Sequence, residues 1–257
     1  MKNIAIITGA TGGFGNCFVE LLSQKSQIDE IWAIGRNQKK FDELKEKYNS
    51  KIKTFSFDLA QKSSLEQIKN LLEQNKNEIT IKYLVNNAGY GKFASYGELD
   101  YLQSVNMIDL NVSSVVALCV ICIPFMKENS RILNISSQSS YFPLPYLNIY
   151  SATKVFVKNY SRALNVELKE KKISCTAVCP GWMETSFIQN GETGAKKDIT
   201  NFFGITTPLK VAKKALKDCE KGRDVSIYGL YNKLTHILSK ILPQKIMILF
   251  WRIQQKF

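Results

Sequence analysis

The chain carries a single histidine, His236, in 257 residues. One imidazole near the C-terminus argues against a histidine-based catalytic triad and against a zinc site, so no metal is expected. Long apolar runs are also lacking. The longest nearly apolar stretch, Val115 to Met126, contains Pro124 and falls short of the roughly 20 residues a bilayer requires, so it is expected to be a buried helix. The N-terminus "MKNIAIITGA" enters a strand pattern at once, leaving no room for a charged leader with its own apolar segment. Low-complexity tracts, fixed-period repeats and Gly/Ser/Pro linkers are missing too. One folded unit is therefore expected over 1–229, followed by a basic extension over 230–257.

Only six cysteines are present. Cys119 and Cys122 have C-x-x-C spacing but lie inside the apolar helix pattern, without a charged neighbour to lower a thiol pKa. Free buried thiols in a reducing cytoplasm are the expectation. Charge is plentiful, with 35 Lys and Arg against 22 Asp and Glu, a net +13. No aromatic-interleaved basic motif or helix-turn-helix pattern accompanies it, so no nucleic-acid partner is expected. The excess would favour an anionic cofactor or an anionic membrane surface.

Short apolar strands alternate with helical patterns. Strands are expected at "NIAIITG", "EIWAIG", "IKTFSFD", "TIKYLVNN", "SRILNISS", "ISCTAVCPG" and "DVSIYG". Helices fill the intervals, including Asp100 to Met126, Ile149 to Lys171 and Leu209 to Glu220, with Ser63 or Ser64 near the cap of the third. This order implies an α/β fold, a Rossmann-type doubly wound parallel sheet of about seven strands with helices on both faces. Ligands should then sit beyond the carboxyl ends of the strands.

The first strand runs into "TGATGGFG", Thr8 to Gly15, and then a helix. Gly9, Gly13 and Gly15 permit a tight turn and close approach of backbone N–H groups to a phosphate. The context, between a strand and a helix of one βαβ unit, gives the motif its weight. Where an NAD site places an acid, at the end of strand two, the chain reads "IGRN". Gly35 removes the carboxylate and Arg36 suits a 2′-phosphate, so NADP (NADPH) is the expected cofactor.

"IYSATKVFV" places Tyr150 four residues before Lys154, on one face of a helix. With these motifs together, the chain resembles the short-chain dehydrogenase/reductase family over about residues 3 to 185. "TGATGGFG" resembles that family's glycine turn, which also brings in Thr11 and Phe14. "FDL" puts Asp58 at an adenine contact, and "NNAG" brings Asn87, Ala88 and Gly89 to the cofactor cleft. "PGWMET" supplies Pro180, Gly181 and Thr185, the last expected at the nicotinamide carboxamide. The resemblance implies a catalytic set of Asn111, Ser137, Tyr150 and Lys154; Ser137, thirteen residues before Tyr150, is preferred to Ser136. It further implies that Tyr150 is the general acid/base, with Lys154, helped by the positive nicotinamide of the oxidised cofactor, bringing its pKa from ~10 toward 7, worth about 4 kcal/mol. Lys154 would also hold the nicotinamide ribose, Ser137 the substrate oxygen, and Asn111 a water reaching Lys154.

The implied activity is NADP(H)-dependent interconversion of a carbonyl and an alcohol on a hydrophobic substrate. A non-catalytic NADP-binding regulator, or a membrane-surface protein dominated by its tail, are the alternatives. Selectivity is expected from "YGKF", "YFPLPYLN" and a lid at about 186–207, with Phe187, Ile188, Phe202 and Phe203 either lining an apolar pocket or packing the lid. The apolar helices around Val115 to Met126 and after Tyr150 suggest a homodimer or homotetramer. In the extension, Leu230, Leu234, Ile237, Leu238 and Ile241 recur at helical spacing, and Pro243 permits a second helix. Residues 230–257 contain no Asp or Glu. This segment either packs on the lid or a neighbouring subunit, or makes weak peripheral contact with a membrane.

Overall fold

The computed structural model describes residues 1–48, 51–192, 199 and 201–256. Seven parallel strands form one sheet in the order β3-β2-β1-β4-β5-β6-β7. They are β1 (Lys2–Thr8), β2 (Glu30–Gly35), β3 (Ile52–Ser56), β4 (Ile79–Asn86), β5 (Met126–Ile135), β6 (Ser174–Val178) and β7 (Val225–Ser226). Pairing of β1 with both β2 and β4 puts the reversal of strand order at the end of β1, where the glycine turn begins.

Why the sheet is covered on both faces is legible residue by residue. In β1, Ala5 and Ile7 enter one core cluster while Ile4 and Ile6 enter another. The first cluster receives Phe18 and Leu22 of α1 (Gly13–Ser23), Phe41 of α2 (Gln38–Tyr48), and Val211 and Leu216 of α8 (Pro208–Glu220). The second receives Ile68 and Leu72 of α3 (Lys62–Gln74), Leu118 and Cys122 of α5 (Ser114–Cys122), and Leu164 of α6 (Asn148–Glu167). A strand apolar at every position is what burial on both faces requires.

Several expected boundaries change. Strand β7 is two residues long, and β5 starts at Met126, before the expected segment. The N-cap of α3 is Gln61, without a side-chain cap bond, in place of Ser63 or Ser64. The apolar run from Val115 is part of a longer helical stretch, α4 (Tyr101–Ile108), a π-helical turn over Asp109–Ser113, α5 and a 3₁₀ turn. By length and composition Tyr101–Phe125 could cross a membrane. It is instead the crossover between the neighbouring parallel strands β4 and β5, and Val115, Leu118, Cys119 and Cys122 are buried on it. All six cysteines are free, and burial pushes the Cys119 thiol up to about 12.

Two polar ties fix the helix that carries the Tyr–Lys pair. Asn86 of β4 donates to Asn134 of β5 at 2.8 Å, and Asn134 donates to Ser161 of α6 at 3.0 Å. Both asparagines and Ser161 are buried. Buried amides that are hydrogen-bonded in this way set a unique register. Helix α7 spans Phe187–Glu192, between β6 and α8, and α9 (Leu230–Ile241) and α10 (Gln244–Gln255) follow β7.

Candidate active site

The glycine turn has steric reasons for its glycines. Gly9 adopts φ +60, a left-handed conformation that favours glycine. A Cβ on Gly15 would lie 2.1 Å from the Gly9 carbonyl oxygen and 2.7 Å from Asn87 Nδ2. Asn87 holds the turn from the other side, donating from Nδ2 to the carbonyls of Thr8 and Gly9, both at 3.1 Å. Thr8 Oγ1 accepts from the backbone of Asn87 and Ala88, each at 2.9 Å. Helix α1 begins behind this turn with no side-chain cap. Its first N–H groups are the donors that a pyrophosphate uses. A cleft kept open only by the lack of side chains therefore fits a dinucleotide.

The cavity here has a volume of about 740 Å³. Every expected cofactor residue lines it: Gly9, Thr11, Gly13, Phe14, Gly15, Arg36, Asp58, Asn87, Ala88, Gly89, Tyr150, Lys154, Pro180, Gly181 and Thr185. At its β2 end Arg36 lies 3.6 Å from Asp58, with both side chains reaching solvent. Lys40, on the first turn of α2, lines the same end and was missed in the sequence because it falls outside the "IGRN" turn. Gly35 is under steric pressure as well as lacking a charge. A Cβ there would meet Phe41 at 3.3 Å and Thr11 Oγ1 at 3.5 Å.

Helix α6 buries Tyr150, Lys154, Val157, Ser161 and Leu164 along one face, as the spacing predicts. Ser136 and Ser137 separate cleanly. Ser136 donates to the Lys154 carbonyl at 2.7 Å, a structural bond. The Ser137 hydroxyl neighbours that of Tyr150 and lowers its pKa, and it accepts from the Ser139 backbone at 3.1 Å. Asn111 lies outside the cavity wall, fully buried in the π-helical turn. It accepts from the Tyr90 backbone N–H at 3.1 Å, and donates to the Tyr90 carbonyl at 2.8 Å and to Thr153 at 3.2 Å. π-Helical turns of this kind gather at functional sites.

The electrostatics of the protein alone bear on the Tyr150 expectation. Burial pushes the Tyr150 phenol above its ordinary range, and the neighbouring Ser137 hydroxyl offsets part of that rise. Lys154 does not bring it down in the protein alone. The ammonium donates to the Ile135 carbonyl at 2.8 Å and lies 5.6 Å from the centre of the Tyr150 ring, over its face. Burial lowers Lys154 to about 8, so it is still mostly charged near neutral pH. Tyr150 is thus a neutral phenol, the state from which a proton can be given.

The remaining wall is apolar. Phe187 and Ile188 line it, and the Phe187 ring lies 5.2 Å from that of Tyr150. Phe202 packs on Trp182 at 4.8 Å, and Phe203 is half exposed; neither lines the cavity. The central part of the expected lid, 193–198 and 200, lies outside the described residues. "YFPLPYLN" contributes Phe142, Leu144 and Leu147, and "YGKF" contributes Tyr90 and Gly91. Trp182 and Trp251 also line the wall. Trp251, buried and donating to the Pro145 carbonyl at 3.1 Å, comes from the extension, 97 residues beyond Lys154, where no motif points to the site. His236 packs against the Tyr141 ring at 4.7 Å, and burial lowers it to about 4.

A family model described as short chain dehydrogenase matches residues 3–196. The very-long-chain 3-oxoacyl-CoA reductase of Mus musculus is 35% identical over 260 residues, 96% of this chain and 78% of its own. That of Macaca fascicularis is also 35% identical over 195 residues, and there the match spans 59% of the relative's length. Among solved structures, a short-chain dehydrogenase from Sphingobium yanoikuyae in complex with NADPH has a TM-score of 0.76 at 22% identity, covering 94% of this chain and 95% of that one. The last of these speaks for the fold, and the family match covers most of the chain. The chain is therefore an NAD(P)-dependent oxidoreductase of the short-chain dehydrogenase/reductase family.

Proposed function

We propose that the protein is an NADPH-preferring reductase, reversible as an alcohol dehydrogenase, acting on a carbonyl attached to an apolar body. The observation that carries this reading is that Ser137 and Tyr150 line one cavity with both a glycine-turn cleft and an aromatic wall. In this reading the bound nicotinamide supplies or accepts the hydride. Tyr150 and Ser137 take the substrate oxygen between their hydroxyls. Ser137 stabilises the charge that develops there, and Tyr150 gives up its proton. The Lys154 ammonium, fixed by the Ile135 carbonyl, then stabilises the phenolate.

Gly89 supports the expected water relay. A Cβ there would fall 2.7 Å from Asn111 Oδ1 and 3.5 Å from Lys154 Nζ. Asn111 Oδ1 and Lys154 Nζ therefore approach the same side of Gly89, within the reach of one bridging water, through which Lys154 would regain contact with protons. Arg36 and Lys40 support the preference for a 2′-phosphate. Exposed Leu102, Val105, Val120, Phe156 and Val166 on α4, α5 and α6 support dimerisation through those helices.

The test is a panel of apolar ketones, aldehydes and long-chain 3-oxoacyl thioesters, the last suggested by the relatives' name. Loss of NADPH absorbance is followed, with NADH in parallel. Turnover of at least one class with NADPH is expected. No turnover with any class, despite tight NADPH binding, would favour the non-catalytic regulator instead.

A further inference from the structure

Helix α9 turns Asn232 and His236 inward, α10 turns Met247, Trp251 and Gln255 inward, and both leave an apolar stripe outward. On α9, Asn232 is buried and donates to the Cys179 carbonyl at 2.9 Å, and His236 faces Tyr141. On α10, Met247, Trp251 and Gln255 are buried, and Gln255 donates to the Asn201 carbonyl at 2.9 Å. The tail meets the described part of the lid through Gln255 and Tyr231, not through the apolar face read from the sequence. Leu230, Leu234, Ile237, Leu238 and Ile241 are all exposed, Leu230 and Ile241 by more than 70%. Ile246, Leu249, Phe250 and Ile253 continue the stripe on α10 at i, i+3, i+4 and i+7. Two successive helices thus leave these nine large apolar side chains exposed, the mark of an interaction surface.

Charge decides what covers it. Lys233, Lys240, Lys245, Arg252 and Lys256 are exposed on the same two helices, and residues 225–257 contain no Asp or Glu. A second copy meeting this face by two-fold symmetry would set cations against cations. An anionic bilayer surface accepts both features, with aliphatic side chains at the acyl boundary and cations among the phosphates. Neither helix can cross: each has 12 residues, about 18 Å at 1.5 Å per residue.

We propose that the α9–α10 hairpin is a docking surface for an anionic membrane. The inner faces of these helices bring Tyr231, Thr235, Trp251 and Gln254 to the cavity wall. Docking thus sets the active-site cavity directly beneath the bilayer surface. The proposal does not depend on the catalytic reading, because its test needs no substrate.

The full chain is sedimented with vesicles of phosphatidylcholine alone and of phosphatidylcholine with phosphatidylserine. Binding to the anionic vesicles is expected, with severalfold release in about 1 M salt, where screening acts over about 3 Å. Lys240→Glu and Arg252→Glu should each weaken partition about fivefold or more. Ile237→Ser with Phe250→Ser should abolish it while circular dichroism, melting temperature and NADPH affinity stay at wild-type values. Absence of vesicle binding by the wild-type chain overturns the proposal. So does a wild-type dimer, measured by light scattering, that the Ile237→Ser, Phe250→Ser variant converts to monomer, since that assigns the face to a second copy.

Discussion

Replacing Arg36 by alanine, alone and with Lys40→Ala, isolates the cofactor preference. Arg36 is more than two-thirds exposed and lies 3.6 Å from Asp58, so the repulsion of that carboxylate for a phosphate is offset only while Arg36 is there. A charge-assisted hydrogen bond to phosphate contributes about 1.5 kcal/mol at the lower end of its range, appropriate to an exposed group. That is roughly tenfold in affinity, and about a hundredfold for both cations. The glycine-turn contacts are common to both cofactors, so the ratio of NADPH to NADH dissociation constants removes them. Nucleotide fluorescence titration at fixed ionic strength gives the ratio. Arg36→Ala should raise it about tenfold with NADH affinity unchanged, and the double variant further. Gly35→Asp is a poorer probe, because any Cβ there approaches Phe41 and Thr11. The reasoning fails if wild-type protein binds NADH as tightly as NADPH, or if Arg36→Ala weakens both equally.

Gly15→Ala should abolish dinucleotide binding. The ~1 kcal/mol gain in helix propensity is outweighed by a Cβ placed 2.1 Å from the Gly9 oxygen, an overpacking cost of about 1–3 kcal/mol or more; calorimetric titration with NADPH reads the loss. Glu30 is buried, which raises its pKa, but hydrogen bonds from Lys2, Lys53 and Trp32 prevail and hold it down to about 2. Its unfolded value is near 4.5, so the unfolded chain binds more protons between these values. The stabilisation is complete above about pH 4.5 and is lost as pH falls through about 2. Glu30→Gln should cost about 2 kcal/mol at pH 7 by urea denaturation, with the difference shrinking below pH 4.5; a difference constant down to pH 2 would contradict this. Ser137→Ala should lower kcat by about 10²–10³ with little change in NADPH affinity, whereas Ser136→Ala should act mainly on stability.

The parallel sheet and its doubly covered faces were readable because strands such as β1 and β4 are apolar at consecutive positions and alternate with helical periods. The cofactor cleft was readable because its residues sit in local motifs, each at a strand end where a glycine or a polar side chain stands out. Trp182 and Trp251 were not. Their place in the wall depends on how the chain after β6 folds back, and an isolated tryptophan in an apolar stretch looks like any core residue. The orientation of α9 was hidden for a related reason. Periodicity locates an apolar face but not which side it presents, and here Asn232 finds the Cys179 carbonyl while the leucines are left outside. That Lys154 is held by the Ile135 carbonyl was not legible, because spacing places it on the same face as Tyr150 without showing which acceptor the ammonium meets.

The central claim is that the Tyr150 hydroxyl gives the proton to the substrate oxygen. Tyr150→Phe keeps the ring against Phe187 and removes only that hydroxyl. With a carbonyl compound that the wild-type enzyme reduces, single-turnover oxidation of bound NADPH measures the step directly. The expected result is unchanged NADPH affinity with the rate reduced at least about a thousandfold, the upper part of the ~10²–10⁴ range of a lost general acid. A Tyr150→Phe enzyme that oxidises NADPH within about tenfold of wild type would contradict the account.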